Sequence, residues 1–466
     1  MIDWKDKRVT VMGLGLFSGG VAVTRFLAAR GARVTVTDLK GADELAPSLA
    51  AIKDLAERVV LGKHDEADFR CADVVVHSPA VSADSPYLQL ARAAGIPVLT
   101  EVEIFFQACR GTILGVTGTS GKSTTTALLG AMLAAAGFPT HVGGNIGRSL
   151  LADVETIRPS DLVVLELSSF QLEALANLGV SPRGAVVTNL APNHLDRHRT
   201  YENYVAAKKN IILFQKPDDF VVLNADCADL CSWEPRCVNV FLFSRRAPVA
   251  FGAFREADRL YLARNGEPAA FLAAGDIPLR GEHNVENVLA AAAAAAAAGA
   301  PPAAIARAVR DFKALPHRLE LVATVNGIAC YNDSKATTPD SAVQALRSFD
   351  SPILLIAGGY DKGSDFSAFA REVASRARLA VLIGSTGGKL ERLIAEADPD
   401  GRARLLRVAS LDEAVSSALS LGAPGDVLLL SPACASYDMF TNFEERGDQF
   451  TRLVLSRAGY DSSSGT

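Results

Sequence analysis

The feature that most constrains this chain is the run GVTGTSGKST at residues 115–124, which joins a short apolar segment to one rich in alanine and leucine. We predict a strand over residues 112–116 and a helix from Ser123. A glycine-rich turn at such a junction directs backbone N–H groups at one point, where the positive end of the helix dipole also favours an anion. Apart from Val116 in place of the first glycine, the run matches the phosphate-binding pattern G-x-x-x-x-G-K-S/T, in which the lysine reaches the β- and γ-phosphates and the hydroxyl binds Mg²⁺. The predicted nucleotide phosphate site consists of Gly118, Thr119, Ser120, Gly121, Lys122, Ser123 and Thr124.

A second glycine cluster follows the first predicted strand, with Gly13, Gly15 and Gly19 before a helix and Asp38 at the end of the next strand. This order is typical of a dinucleotide-binding turn, in which the acid binds a ribose. The spacing is GxGxxxG, however, and Ser18 stands where the third glycine belongs. Three interpretations stay open: a site for a nucleotide diphosphate, an NAD site of an oxidoreductase, and a structural turn.

A length of 466 residues predicts about three domains. Apolar strands alternate with helical segments throughout, which predicts an α/β fold with a mostly parallel sheet in each domain. We expect a Rossmann-like N-terminal domain at residues 1–100, a P-loop ATPase domain at 101–313 and a Rossmann-like C-terminal domain at 314–466. The short β-like runs within residues 218–280 are expected to form an antiparallel patch, and the polar tail at 461–466 is expected to be disordered.

Charge and composition exclude several function classes. The net charge is −5 and no basic block occurs, so nucleic acid is not an expected partner. There is no apolar run that suits a bilayer and no signal-peptide pattern at the start, so we expect no membrane insertion. The seven cysteines show no metal-binding or disulfide spacing, and we interpret them as free thiols in a reducing cytoplasm, with the role of Cys227, Cys231 and Cys237 open.

Polar residues after the central strands are candidates for metal chemistry. Glu166 ends the strand DLVVLE, and a carboxylate at the carboxyl end of a parallel strand faces the ligand crevice. Beside a phosphate loop it could bind Mg²⁺, although a solvated strand-end acid is the alternative. His194, in NHLDRH, is either a metal ligand or a loop residue. Lys208 and Lys209 lie on a predicted helix, where a solvated face is the default interpretation.

Further polar groups lie toward the C-terminus. Asn284 and Asn287 are three residues apart at the start of a long helix, so both amides lie on one face, although Asn284 could simply cap the helix. Arg318 could bind a phosphate or stack on a base. The polar loops at residues 331–337, 357–365 and 431–447 are ambiguous when each is taken alone.

Taken together, the motifs resemble those of the Mur ligase family. TGTSGKST, ELSSFQLE, NHLDRH, YxxxK, HNxxN, HRLE, DSKAT and SPACAS occur in this order, and the resemblance covers residues 8–455. Members of the family use ATP to join an amino acid to a carboxylate through an acyl phosphate. The run SPACASYDMFTNFEERG and the N-terminal glycine–aspartate pattern are most similar to the members that add D-glutamate to UDP-N-acetylmuramoyl-L-alanine in peptidoglycan precursor synthesis. Another member of the superfamily remains an alternative, either one that adds L-glutamate or a different amino acid, or a folylpolyglutamate synthetase-like enzyme.

The resemblance also implies roles for individual residues. It implies ATP and two Mg²⁺ ions as cofactors, a carbamylated Lys208 with Lys209 as a weaker rival, and no partners beyond the two substrates of a cytoplasmic monomer. The implied catalytic residues are Lys122, Glu166, His194 and Lys208, and the implied metal ligands are Ser123, Glu166, His194 and the carbamate of Lys208. The implied contacts outside the phosphate loop are Asn284, Asn287, Arg318 and Asp333 for ATP; Leu16, Ser18, Gly19, Asp38 and Asn145 for the UDP substrate; and Lys335, Thr337, Lys362, Ser436 and Phe443 for glutamate.

Overall fold

The computed structural model describes residues 2–16, 18–82, 84–146 and 149–459. The side chain of Ser18 and the tail at 461–466 therefore lie outside the described residues. The chain divides into two compact units, of which unit 1 is Met1–Asp276 with Glu286–Arg310 and unit 2 is Ile277–Val285 with Asp311–Thr466. The three domain boundaries expected from the sequence stay a prediction.

The first sheet of unit 1 has parallel strands in the order β3-β2-β1-β4-β5. The order reverses between β1 and β4, and in open α/β sheets such a switch point forms a ligand crevice at the carboxyl ends of the strands. The strands and helices of this region are β1 (Arg8–Met12), α1 (Ser18–Ala29), β2 (Arg33–Asp38), α2 (Ala46–Ala51), β3 (Arg58–Leu61), α3 (Glu66–Arg70), β4 (Val74–His77), α4 (Pro86–Ala93), β5 (Val98–Thr100) and α5 (Glu101–Ala108).

The second sheet of unit 1 has the order β14-β13-β12-β11-β10-β9-β6-β8-β7, with the phosphate-loop strand β6 between β8 and β9. Short 3₁₀ turns occur at Leu151–Thr156 and Ala274–Asp276. The remaining elements up to residue 310 are β6 (Thr112–Thr117), α6 (Lys122–Ala135), β7 (Thr140–Gly144), β8 (Leu162–Glu166), α7 (Ser169–Leu178), β9 (Gly184–Val187), α8 (Leu195–His198), α9 (Tyr201–Leu213), β10 (Phe220–Asn224), α10 (Ala228–Cys231), β11 (Asn239–Ser244), β12 (Gly252–Glu256), β13 (Arg259–Arg264), β14 (Glu267–Ala273), α11 (Glu282–Ala297) and α12 (Pro302–Arg310).

The expected antiparallel patch within residues 218–280 is partly wrong. Strands β10 and β11 are parallel and extend the main sheet, with Val221 beside Val240, and β12 is parallel to β11. The segment between β10 and β11 contains α10, so the chain can return to the same end of the sheet. The antiparallel part is β12-β13-β14. Its second turn is Asn265-Gly266, with both φ angles positive, which suits a two-residue hairpin.

Unit 2 contains a sheet in the order β15-β16-β20-β17-β18-β19, parallel except for the β15–β16 hairpin. Successive residues of β17 pack on opposite faces, Leu354 in one apolar cluster and Leu355 in the other, because helices cover both faces. The elements are β15 (Glu320–Val325), β16 (Ile328–Asn332), α13 (Pro339–Leu346), β17 (Ile353–Gly358), α14 (Ser367–Arg376), β18 (Ala377–Ile383), α15 (Gly387–Ala397), β19 (Arg404–Arg407), α16 (Leu411–Leu421), β20 (Val427–Leu430) and α17 (Phe443–Arg457).

The predicted fold class, α/β with mostly parallel sheets, is confirmed by these pairings. Within the described ranges, none of the helices has both the length and the apolar character needed to cross a bilayer.

Candidate functional site

The phosphate loop joins β6 to α6 through two glycines with positive φ angles. At Gly118 the φ angle is +147° and an added Cβ would overlap Thr188 Oγ1; at Gly121 the φ angle is +80° and a Cβ would overlap Asn287 Oδ1. Val116, by contrast, is a buried residue of β6 that pairs with Glu166 and Val186 in the neighbouring strands. A glycine is therefore not needed at position 116, since the loop begins two residues later.

The residues that directly follow the neighbouring strand β9 hydrogen-bond to this loop. Asn189 Oδ1 accepts from the backbone N–H of Ser120 at 2.9 Å, and Thr188 Oγ1 donates to the Ser120 carbonyl at 2.6 Å. Lys122 Nζ donates to the carbonyls of Gly118 and Thr119 at 3.0 and 2.8 Å. Thr188 and Asn189 were not predicted from the sequence, although their place directly after an apolar strand beside the loop was a usable signal.

We expect Gly118→Ala to weaken nucleotide binding while the fold persists. The added Cβ would strain the backbone and displace Thr188, which we expect to weaken ATP affinity by more than about tenfold, or about 1.4 kcal/mol. Gly137→Ala is the matched control, because Gly137 also has a positive φ angle but has open space around it. Both affinities can be measured by calorimetry with an ATP analogue, and equal affinities in the two variants would contradict the expectation.

Glu166 is the last residue of β8 and its side chain is buried, at 2 % exposure. Its Oε1 accepts from Asn145 Nδ2 at 3.0 Å, whereas its buried Oε2 has no hydrogen-bond partner within the described part of the chain. An unsatisfied buried carboxylate oxygen is costly and requires an explanation. A bound divalent cation supplies one, since Mg²⁺ in nucleotide sites is held by one or two carboxylates together with phosphate oxygens. The residues present therefore fit a metal ion.

Lys208 lies on the buried face of α9, at 2 % exposure, and its Nζ donates to Thr117 Oγ1 at 3.2 Å. Burial, and then the positive charge of Lys122, lower the pKa of Lys208 well below its usual value, while the charge of Glu166 raises it. The interpretation of Lys208 as a solvated lysine is therefore wrong, whereas Lys209 is partly exposed. A lowered pKa shifts a buried lysine toward the neutral amine, which is the nucleophilic form.

His194 precedes the short helix α8 with a φ angle of +53° and packs edge-on against Phe170 at a centroid distance of 5.3 Å. No group of three or more His, Cys, Asp and Glu side chains suited to a metal occurs among the residues that the structure describes. The predicted ligand set of Ser123, Glu166, His194 and a carbamylated Lys208 does not need such a group, because two of its four ligands are of other types.

The first sheet contains the predicted site for the sugar nucleotide. Asp38 at the end of β2 accepts from the backbone N–H groups of Gly15 and Lys40 at 3.0 and 2.9 Å, so it orders the turn that also carries the exposed Leu16. A Cβ at Gly19 would approach the Glu101 carboxylate, which also accepts from Ser149 Oγ. Burial raises the pKa of Glu101, which favours its neutral form. Glu101 was not predicted from the sequence.

The predicted ATP contacts beyond the phosphate loop include two asparagines of helix α11. Asn287 Oδ1 accepts from Thr125 Oγ1 of α6 at 3.3 Å, whereas Asn284 Nδ2 donates to the Arg280 carbonyl at 2.6 Å. Helix α11 begins at Glu282, so Asn284 lies within it and the capping interpretation is wrong.

Asp333, which directly follows β16 in unit 2, is buried. Its carboxylate accepts from the Leu319 N–H at 3.2 Å and from Ser431 Oγ at 2.8 Å. Burial raises the pKa of Asp333 to about 7, although the nearby positive charge of Arg318 opposes the rise.

The residues implied for glutamate follow adjacent strands of unit 2. Lys335 and Thr337 follow β16, Ser436 follows β20 and Lys362 follows β17, and these strands are neighbours in the sheet. Their loops therefore share one edge. Phe443 begins α17, and its ring lies 5.5 Å from Lys335 Nζ.

Ser436 Oγ is buried without a hydrogen-bond partner in the described ranges. A fully buried arginine, Arg446, ties two of these loops together by donating to Ser334 Oγ at 3.0 Å, to the Ser334 carbonyl at 2.8 Å and to the Cys434 carbonyl at 3.2 Å. Burial lowers the pKa of Arg446 to about 10. Arg446 was not predicted from the sequence, although its four-residue spacing from Phe450 placed it on the apolar face of α17.

The phosphate loop is hydrogen-bonded to the residues that follow β9 and lies beside the buried Glu166 at the end of β8. These features define a P-loop nucleotide-binding protein of the α/β class. The family models agree along the chain: Mur ligase MurD-like, N-terminal domain, at residues 7–100; Mur ligase middle domain at 116–295; and Mur ligase, glutamate ligase domain, at 317–434. The chain belongs to the Mur ligase family, as the sequence motifs predicted. Membership removes the oxidoreductase alternative for the first glycine cluster.

Two curated relatives illustrate the similarity. The UDP-N-acetylmuramoylalanine--D-glutamate ligase of Roseiflexus sp. (strain RS-1) is 46 % identical, covering 97 % of this chain and 98 % of the relative. The protein of the same name from Acidobacterium capsulatum is 43 % identical, covering 98 % of each chain.

Solved structures share the fold at lower identity. UDP-N-acetylmuramate-alanine ligase MurC from Thermotoga maritima is 19 % identical with a TM-score of 0.64, covering 97 % of this chain and 99 % of that one. A pseudomurein peptide ligase type C from Methanothermus fervidus is also 19 % identical, with a TM-score of 0.58, covering 97 % and 100 %.

Proposed function

We propose that this protein is an ATP-dependent ligase that adds D-glutamate to UDP-N-acetylmuramoyl-L-alanine during peptidoglycan precursor synthesis. The observation that carries the proposal is the end-to-end similarity to relatives bearing the name of that activity. The braced phosphate loop and the buried acid beside it supply the chemistry that such a ligase needs.

The reaction requires activation because a carboxylate is a poor electrophile. Transfer of the γ-phosphoryl group of ATP to the carboxylate of the muramoyl substrate gives an acyl phosphate and ADP. The amine of glutamate then attacks the acyl carbon, loses a proton, and expels inorganic phosphate from a tetrahedral intermediate. In the first step the protein mostly positions the reactants and neutralises charge.

We assign the phosphates of ATP to the loop at residues 118–124, with Lys122 beside the β- and γ-phosphates. Support comes from the direction of the loop, which lies at the N-terminus of α6, where backbone N–H groups and the helix dipole favour an anion. Asn284, Asn287 and Arg318 are assigned to the adenine and phosphates, and Asp333 to the ribose.

Two Mg²⁺ ions are proposed beside this loop, where they would neutralise the charge that develops on the transferred phosphoryl group. Ser123, Glu166 and His194 would hold them together with the carbamate of Lys208. The orphaned Oε2 of Glu166 supports a cation there. The lowered pKa of Lys208 supports the carbamate, because only the neutral amine attacks CO₂, forming an N–C bond and releasing a proton.

The other substrates are assigned by the same reasoning. Leu16, Ser18, Gly19, Asp38 and Asn145 are proposed to contact the UDP substrate, and the orderly turn around Asp38 supports this. Lys335, Thr337, Lys362, Ser436 and Phe443 are proposed around glutamate, whose two carboxylates suit lysines. We also infer a monomer acting in the cytoplasm, where ATP and nucleotide-linked sugars are supplied.

The test is an assay of phosphate release with ATP, Mg²⁺, UDP-N-acetylmuramoyl-L-alanine and either enantiomer of glutamate, with the product identified by its mass. We expect product with D-glutamate, little with L-glutamate, and none after chelation of Mg²⁺ by EDTA. Product with L-glutamate alone would favour the other superfamily member. Absence of phosphate release with the muramoyl substrate would overturn the proposal.

A further inference from the structure

His198, the last residue of α8, is buried at 4 % exposure, and the chemistry proposed above does not use it. Both ring nitrogens face α7. Nε2 lies 2.9 Å from Ser169 Oγ, and Nδ1 lies 3.4 Å from a carboxylate oxygen of Glu173. The position and orientation of the imidazole are therefore fixed by polar contacts at two points on one helix.

The faces and edges of this ring contact two aromatic residues. His198 stacks on Phe170 at a centroid distance of 5.2 Å and an interplanar angle of 10°. It also meets Tyr204 edge-on at 5.4 Å and 68°. The Arg197 guanidinium lies 4.0 Å from the Phe170 ring. Aromatic contacts of this kind add to the stability of a buried cluster beyond the area that they bury.

Each of the two aromatic residues in turn contacts a proposed metal ligand. Phe170 packs against His194 at 5.3 Å. The Tyr204 ring lies 4.9 Å from Lys208 Nζ, and Tyr204 Oη is 2.9 Å from Thr119 Oγ1 in the phosphate loop. His198 thus contacts both Phe170 and Tyr204. These two residues in turn contact His194, Lys208 and the phosphate loop.

We propose, on the basis of the ligase function proposed above, that His198 is a positioning residue that fixes Phe170 and Tyr204 and, through them, His194 and Lys208. The polar contacts to Ser169 and Glu173 set the ring orientation, and the ring sets the two aromatic residues. Replacing a residue that contacts and orients a metal ligand commonly lowers activity or metal affinity ten- to hundredfold.

The test compares His198→Ala with a matched control, His141→Ala. His141 is a partly buried histidine of unit 1 that is likewise close to an acid, at 3.1 Å from Asp161, but it lies near the start of β7 and not beside Glu166. Two readouts are measured: kcat with the KM of each substrate, and the carbamate resonance of the protein in ¹³C-labelled bicarbonate, identified by its loss in Lys208→Ala.

We expect His198→Ala to lower kcat by about tenfold or more, with KM values changed less than about twofold, and to lower the carbamate occupancy at equal CO₂. His141→Ala should change neither. A folded His198→Ala with wild-type kcat and wild-type occupancy, or equal losses in both variants, would overturn the proposal. If His198→Ala does not fold, His198→Gln carries the same test, because its amide can still reach Ser169 while the ring is lost.

Failure of the proposed function is distinguishable from failure of this proposal. If the wild type shows no carbamate resonance, the assignment of Lys208 fails. The role of His198 is then decided by whether His198→Ala lowers kcat more than it changes KM, compared with His141→Ala. If the wild type shows no ligase activity, the role of His198 is decided by comparing the carbamate occupancy of His198→Ala with that of the wild type.

Discussion

Lys208→Ala is expected to reduce the rate of ligation by about a thousandfold while ATP still binds to the phosphate loop. In the proposed site the carbamate of Lys208 provides an anion at a position where the amine alone would provide a cation or a neutral group. Loss of a group that stabilises developing charge in a water-excluded site commonly costs a hundred- to a thousandfold. The measurement is steady-state phosphate release at saturating substrates.

Added small molecules separate the carbamate from other roles of this lysine. Acetate or formate can enter the space left by Lys208→Ala and supply a carboxylate, so we expect partial recovery of the rate. Bicarbonate should give none, because the variant lacks the amine that CO₂ must meet. Lys209→Ala is the control, since that neighbour is partly exposed and should keep the wild-type rate. A full rate in Lys208→Ala would remove the carbamate assignment.

The spacing of residues along α9 is compatible with a buried Lys208, although a lysine on a helix is by default expected to be solvated. Tyr204, Ala207, Lys208, Ile211 and Ile212 are the buried residues of α9, and their spacing is that of an apolar helical face. A lysine within such a face is buried together with its neighbours. What the spacing could not provide is the partner, since Thr117 lies on β6, ninety-one residues earlier.

The phosphate loop was predictable because its determinants are local. Strand, glycines, lysine and helix follow one another within residues 112–135, so no distant contact is needed to define them. The parallel pairing of β10 with β9 and β11 was not predictable in the same way, because it depends on residues far apart in the chain. The Asn265-Gly266 hairpin, by contrast, is again a local signal.

Residues that act through other residues were the hardest to find. Glu101 lies in none of the motifs, whereas His198 and Arg446 lie in NHLDRH and SPACASYDMFTNFEERG without an implied role of their own. The importance of all three arises from contacts with separate segments. A polar side chain beside a buried stretch is the signal that a sequence offers, and it applies to Glu101, which precedes four buried residues of α5, but not to His198, whose neighbours Arg197 and Arg199 are exposed. The signal indicates burial with partners, and the identity of those partners requires the fold.

Lys122→Ala is expected to abolish acyl-phosphate formation while binding of the UDP substrate stays nearly unchanged. Lys122 Nζ donates to two loop carbonyls, so its side chain is held against the loop that we propose to bind the β- and γ-phosphates of ATP. Without it, the charge on the transferred phosphoryl group loses its nearest protein cation, and the loss in rate for such a group is about a thousandfold or more. Apart from Asn145, the proposed contacts of the UDP substrate lie instead around Asp38 at the end of β2.

The two effects are measured separately. The acyl phosphate is trapped with hydroxylamine as the hydroxamate during a single turnover, and the affinity for UDP-N-acetylmuramoyl-L-alanine is measured by calorimetry without ATP. Lys216→Ala, which removes an exposed lysine of the same unit, should leave both values at the wild-type level. We expect the dissociation constant of the UDP substrate in Lys122→Ala to stay within about twofold of wild type, or about 0.4 kcal/mol. Equal loss of both functions would mean that one nucleotide site, and not two, serves ATP and the UDP substrate, because a lysine confined to the phosphate loop cannot affect a separate turn on another sheet to the same extent.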